Sequence, residues 1–525
     1  MAVQPVLIAG EWRAAKSAGT FRADNPALAQ PMPEEFPVSG WADVEAALDA
    51  AAAAFVELQQ TPPSKLAAFL NDYAARIEAA KDVLVEMAHQ ETALPKAPRL
   101  GEVELPRTTN QLRQAAAAAI DGSWALPTID TKANIRSALA AIGPVAVFGP
   151  NNFPFAFNSV AGGDFAAAIA AGNPVIAKAN SSHPGTTKLL AELAHAAAQA
   201  AGLPRGTVQL IYRTSHDDGR RLASDPRLGS LGYTGSRRAG LELKEAADRV
   251  GKPIFLELSS VNPVVILPAA LAEKHDALVG EFCTSCLMGT GQFCTNPGLV
   301  ILLAGSETNA FVAAVAEKFK TAPVGTLLSK GTAESLAKAV MTLKKAGAEI
   351  LAGGTAGGGK GHSFANTLLK VSGAEFVIAP EALQTEAFGN ASLFVIAEDL
   401  DEAAGVLEGL EGNLTGCIYS GVDGGDDAAY VRLAPILRRK VGRLLNDKMP
   451  TGVAVSSAMN HGGPFPATGH PGFTAVGIPA ALRRFAALHC YDGVRPERLP
   501  PLLANKNPTG KTARLIDGVW STADV

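Results

Sequence analysis

PVAVFGPNNFPFAFNSVAGGDFAAAIAAGNPVIAK, residues 144–178, holds two short apolar runs, PVAVFG (144–149) and PVIAK (174–178), on either side of a stretch of small residues. Runs of that length, rich in Val and Ile and bounded by Gly, Pro and Asn, predict buried strands. The rhythm continues through TVQLIY (207–212), LGSLGYTG (228–235), PIFLEL (253–258) and PVVIL (263–267). Most of these are separated by helical patterns such as GTTKLLAELAHAAAQAAG (185–202) and RRAGLELKEAADRVG (237–251). Strands alternating with helices of that length predict βαβ units in a mostly parallel, doubly wound α/β sheet, with a dinucleotide at the strand ends.

A second block of the same kind runs from about 275 to 450, where GLVILLAG (298–305) and ASLFVIAED (391–399) alternate with patterns such as AESLAKAVMTLKKAG (333–347). The first 120 residues read as helical after a hairpin at IAGEWR (8–13), and RPERLPPLLANKNPTG (495–510) reads as extended. The glycines of GGTAGGGKG (353–361) lack the phosphate-loop spacing and its Ser/Thr, so the stretch reads as a surface loop.

With 525 residues, 47% of them hydrophobic and 18% charged, the chain can bury two or three cores. A net charge of -4 gives no basic footprint for nucleic acid or an anionic membrane. FAAAIAAG (165–172) is too short to span a bilayer, and the N-terminus lacks a secretory pattern, so a cytoplasmic protein is expected. Five cysteines are an odd, sparse set that points to reduced thiols. Cys283 and Cys286 sit three apart in an apolar pattern without a second ligand pair, so they read as inert core and no metal site is expected.

Cys294 differs from the others. In GTGQFCTNPG (289–298) it lies between two glycines and an Asn-Pro-Gly turn, poor company for a packed thiol. A nucleophilic cysteine also needs a base and a donor for the oxyanion it creates. Glu257 ends an apolar strand and is either a paired strand-end carboxylate or a general base poised by partial burial. Asn152, in FGPNNFPF, either shapes the turn or aims its amide at an oxyanion. No one of these residues decides the matter alone.

The ordered set does. Asn-Phe-Pro, a strand-end Lys, Tyr-Thr-Gly-Ser, Glu-Leu-Ser-Ser, Gly-Gln-x-Cys-Thr and Glu-Ala-Phe-Gly (386–389) together resemble the aldehyde dehydrogenase superfamily across nearly the whole chain. The wording of NNFPFAFNSVAGGDFAAAIAAGNPVIAKANSSHPGTT, GQFCTNPG and HGGPFPATG (461–469) is most similar to the 2,5-dioxovalerate (α-ketoglutaric semialdehyde) dehydrogenase branch. Asn151 before the oxyanion Asn, and Ser259 and Ser260 after Glu-Leu, depart from the commoner family pattern and agree with the branch.

The resemblance implies two doubly wound Rossmann-like domains plus a small β oligomerisation element. Residues 1–122 and 143–267 would form the dinucleotide-binding domain and 268–455 the catalytic domain. Residues 123–142 and 480–525 would supply an oligomerisation hairpin and C-terminal extension, in a homodimer or homotetramer. Cys294 would attack an aldehyde, Asn152 would hold the oxyanion, Glu257 would activate water and His461 would tune the thiol. The cofactor residues would be Lys178, Ser181, Gly235, Ser236, Gly240, Glu386 and Phe388. Ser181 replaces a glutamate that many NAD-preferring relatives carry, which favours NADP, with NAD as the alternative. A semialdehyde with a distal carboxylate calls for a cationic tunnel mouth, for which Arg107, Gln111, Arg113 and Phe155 are the candidates. Succinate semialdehyde and medium-chain or fatty aldehydes are the alternative substrates, and a non-catalytic binding protein is the remaining reading.

Overall fold

The computed structural model describes residues 2–525. Its first sheet has the strand order Ile254–Glu257, Ser230–Thr234, Val145–Phe148, Val175–Lys178, Val208–Ile211, Val6–Ile8, Glu11–Arg13. The five inner strands run parallel, and the N-terminal hairpin closes the edge antiparallel. Their Val-, Ile- and Leu-rich cores are covered on one side by helices Gly163–Ala170 and Pro184–Ala200 and on the other by helices such as Trp41–Leu58 and Arg237–Asp248, as a parallel sheet requires. Register puts Lys178 beside Phe148 and Ile211, and Thr234 beside Glu257. One row of carboxyl ends therefore presents Phe148, Lys178, Thr234 and Glu257 to the same crevice.

The second sheet is ordered Glu349–Ala352, Thr367–Ser372, Ala391–Ala397, Leu299–Leu303, Val264–Ile266, Asn413–Tyr419, Val441–Asn446, and only its first strand is antiparallel. This moves the expected boundary at 267. The PVVIL strand belongs to the second sheet, because the chain crosses between sheets in an extended link at 258–263. Asn413 Oδ1 holds that link by accepting from the backbone N–H of Val261 and Asn262 at 2.8 and 3.1 Å.

The third sheet joins distant segments: Ala486–Asp492, Ile135–Ala141, Thr128–Asp130, Arg514–Ile516 and Val519–Ser521. The tail expected to be extended contains short 3-10 turns at Pro496–Arg498 and Pro501–Leu503 before its last two strands. Residues 456–479 have no strand or helix, yet Phe473, Ala475 and Val476 fill the core of the first sheet. Among the described residues no helix is long and apolar enough to cross a membrane.

Candidate active site

A cavity of about 730 Å³ runs along the carboxyl ends of the first sheet to the loop that carries Cys294. Asn152, Lys178, Ser181, Gly235, Ser236, Glu257, Cys294, Glu386 and Phe388 all line it. This is the crevice where an open α/β sheet binds its ligand.

At its inner end, His461 stands between the thiol and the carboxylate. Its Nε2 lies 3.4 Å from Cys294 Sγ and 2.8 Å from Glu257 Oε1. His461 and Glu257 are 1% and 2% exposed, and Glu257 Oε2 has no hydrogen-bond partner. Because one ring nitrogen serves both contacts, it either accepts from the thiol or donates to the carboxylate at any moment. Burial pushes the Cys294 thiol well above its usual range, the Glu257 carboxylate adds to this, and Arg107 opposes it. The thiol is therefore protonated at rest, with an acceptor for its proton already in contact.

Asn152 is 5% exposed and its Nδ2 donates to the Gln292 carbonyl at 3.0 Å. That bond uses one of two amide hydrogens and leaves the second for the cavity. The cysteine loop is fixed from behind by Asn262, whose Nδ2 donates to the Cys294 and Asn296 carbonyls at 2.9 Å each. Its glycines have a packing reason. Gly291 has φ +68°, and a Cβ there would meet the Gly389 carbonyl at 2.0 Å, so the loop lies directly on the Glu386–Gly389 segment.

At the outer end, burial and then the neighbouring Arg213 lower Lys178 to about 8. Arg213 lines the same wall, and among the described residues neither cation forms a salt bridge. The helix Arg237–Asp248 starts between them and the thiol, and its N-cap Ser236 has no side-chain cap bond. A strand-end cradle, two cations without an acidic partner and an open helix N-terminus fit a dinucleotide phosphate. Glu386 is raised to about 7 by burial, opposed by hydrogen bonds from Ser259 and from the Ser260 N–H.

Three expectations change. Gly240 does not line the cavity; it seats its helix against Leu258 and Tyr233, where a Cβ would come within 2.5 and 3.0 Å. Arg113 points away from the site and forms a two-bond ion pair with Glu78 at 2.6 and 2.7 Å. Phe155 is fully buried, its backbone N–H donates to Glu104 Oε1 at 2.8 Å, and the rings beside Arg107 are those of Phe153 and Phe157. Arg237 is bonded to Glu411, and Arg238 is 91% exposed beside Glu242, so neither adds charge at the phosphate end.

Arg107 and Gln111 share one helix and do not line this cavity either. Arg107 has its guanidinium 5.8 and 5.2 Å from the Phe153 and Phe157 ring centres, with Nε and Nη2 buried and without a partner. Gln111, one helical turn on, is 2% exposed and its Oε1 is also unpartnered. Burial lowers the Arg107 guanidinium, and the nearby Glu104, Cys294 and Glu257 oppose that shift. Sequence reasoning missed Arg99, which ion-pairs with Glu104 and donates to the Asn152 carbonyl at 3.0 Å, so it holds the turn that carries Asn152. It missed Arg213 as well, although that residue follows a strand end just as Lys178 closes one.

Residues 12–429 match the model of the aldehyde dehydrogenase family. The chain is 40% identical over 525 residues to alpha-ketoglutaric semialdehyde dehydrogenase 2 of Azospirillum brasilense, covering 98% of each chain. It is 36% identical over 524 residues to the alpha-ketoglutaric semialdehyde dehydrogenase of Acinetobacter baylyi, covering 97% of each. Among solved structures it resembles aldehyde dehydrogenase C of Pseudomonas syringae, a mutant complexed with NAD+ and octanal. The TM-score there is 0.79 at 20% identity, over 95% of this chain and 98% of that one.

Proposed function

The chain belongs to the aldehyde dehydrogenase family, and from that premise we propose that Cys294, His461, Glu257 and Asn152 are the working groups of its aldehyde oxidation. The overall reaction takes aldehyde, oxidised nicotinamide dinucleotide and water to carboxylate, reduced dinucleotide and two protons. The thiol passes its proton to His461 Nε2, and Glu257 stabilises the imidazolium that forms. The thiolate attacks the carbonyl carbon, and the oxyanion takes the free amide hydrogen of Asn152 together with the Cys294 N–H. A dinucleotide held along Lys178, Ser236, Glu386 and Phe388 would supply the hydride acceptor that lets the thiohemiacetal become a thioester. Glu257 then activates the water that hydrolyses the thioester and frees the thiol.

The substrate is α-ketoglutaric semialdehyde (2,5-dioxopentanoate), oxidised to 2-oxoglutarate. Two relatives bearing that name support this reading, and the observation that carries it is the half-buried Arg107, whose Nε and Nη2 are out of solvent without a partner and whose guanidinium feels the Cys294 charge. A guanidinium taken out of water needs an anion, and a substrate carboxylate supplies one bidentately. The cofactor is NADP. Lys178 and Arg213 supply two cations, and Ser181 brings no carboxylate to repel a 2'-phosphate. The working form is a homodimer or homotetramer built on the third sheet, whose outer strand Ala486–Asp492 carries Leu488 at 68% exposure. Five free cysteines favour a reducing compartment, the cytoplasm.

The test is kcat/KM for a panel of aldehydes with NADP and NAD side by side, using wild type and Arg107→Met. Loss of a buried charge-paired contact costs about 2–5 kcal/mol. The variant is expected to lose at least about 30-fold on 2,5-dioxopentanoate and succinate semialdehyde, at about 1.4 kcal/mol per tenfold. An uncharged aldehyde of the same length should change little. Equal losses on charged and uncharged aldehydes would remove Arg107 from substrate recognition, and a wild-type preference for octanal would replace the substrate.

A further inference from the structure

The groups that surround the reacting carbon are also a set of metal donors. Cys294 Sγ, His461 Nε2 and a Glu257 carboxylate oxygen all lie within 4.8 Å of one another. The sulfur and nitrogen are 3.4 Å apart, the nitrogen and oxygen 2.8 Å. Zinc held by three protein ligands has Zn–S near 2.3 Å and Zn–N and Zn–O near 2.0–2.2 Å, which places neighbouring tetrahedral donors about 3.4–3.6 Å apart. The ion fits if the imidazole retreats from the carboxylate by roughly half an ångström. Cys294 and Glu257 face the cavity, which gives the ion a way in and leaves the fourth position for water.

We infer that the protein without substrate and dinucleotide binds one divalent cation of zinc type at Cys294 Sγ, His461 Nε2 and the Glu257 carboxylate, and that the bound ion holds the enzyme inactive. The balance is simple. The thiol releases its proton to solvent and the S–H bond is replaced by S–Zn, while the imidazole binds as the neutral base and the carboxylate as the anion. Two positive charges meet two negative ones, so the buried site ends neutral. Glu257 Oε2, which has no partner, can share the ion. Arg107 and Arg443 both feel the Cys294 charge and weaken the site without cancelling two ligand anions. A sulfur, a nitrogen and an oxygen select zinc, cobalt or cadmium over magnesium and calcium, which favour oxygen alone. Sequence spacing hides this set, because His461 is 167 residues from Cys294 and 204 from Glu257.

Binding rests on the three donors alone; loss of turnover rests in addition on Cys294 being the nucleophile. The experiment is titration of metal-free enzyme with Co2+, followed by its visible and near-ultraviolet spectrum, and with Zn2+ against a chromogenic chelator. Expected are one ion per chain, one proton released per zinc and a thiolate-to-cobalt charge-transfer band. Zinc should abolish turnover until EDTA is added, and NADP with an aldehyde should compete with it. Enzyme alkylated at Cys294 serves as the control for Cys294→Ser, and both should lose the charge-transfer band. Glu257→Gln and His461→Gln should each weaken zinc by at least about tenfold. A cobalt spectrum without sulfur ligation, or single variants that bind zinc as wild type does, overturns the site. Binding as described with undiminished turnover upholds the site and overturns the nucleophile.

Discussion

Cys294 is a thiol whose surroundings oppose ionisation, since burial and the Glu257 carboxylate both penalise the thiolate. Its reactivity must come from the contact with His461. His461→Gln is therefore expected to cut kcat/KM by about 100-fold or more and to move the rising limb of the pH profile upward. Iodoacetamide labelling of Cys294 should slow in parallel. Lys178 gives the cofactor end its own pH dependence. With its ammonium lowered to about 8, it is charged below that pH and neutral above it. The KM for NADP should rise as pH climbs through 8 while that for NAD stays nearly flat, and Lys178→Met should remove the difference. Cys294, Asn152, Glu257 and Lys178 were legible because each sits at a turn or strand end where the chemistry needs it. Arg113 was misread for a geometric reason. Six residues along a helix from Arg107 is about 120° round the axis, so it meets Glu78 on the helix Pro63–Ala79.

Among the elements, the cysteine loop and the Glu386–Gly389 segment touch through two glycine backbones. Gly291→Ala places a methyl into the Gly389 carbonyl at a left-handed φ. It is expected to destabilise the protein by about 2–4 kcal/mol and to lower kcat, as read by thermal denaturation and steady-state assay. The strands themselves were legible from apolar runs of four to eight residues. The partners of Val264–Ile266 were not, because periodicity identifies a strand without naming its sheet. The segment that carries His461 has no period to read; it is held by contacts such as the Leu258 N–H donating to the Ala467 carbonyl at 2.8 Å.

For the whole molecule, the third sheet has two open edges, Ala486–Asp492 and Val519–Ser521, and the longer one carries Leu488 at 68% exposure. Light scattering after size-exclusion chromatography should show a dimer or tetramer, and Leu488→Arg should shift it to a smaller species. A monomeric wild type would leave this edge without its proposed role.

The paths of the chain also set an order of assembly during synthesis. The second sheet is complete within residues 264–446, so it can finish as soon as that stretch has left the ribosome. The first sheet begins earlier and finishes later. Its strands are made by residue 257, but Phe473, Leu482 and Phe485 belong to their core, and Arg484 Nη2 must reach Asp164 Oδ1 at 2.7 Å, buried between the Phe473 and Phe485 rings. The hairpin at 128–141 waits longer still, for partners at 486–492 and 514–516. Of the two seven-stranded sheets, the one born first is thus the later to close, and its unfinished apolar face is what a chaperone would meet on a nascent chain.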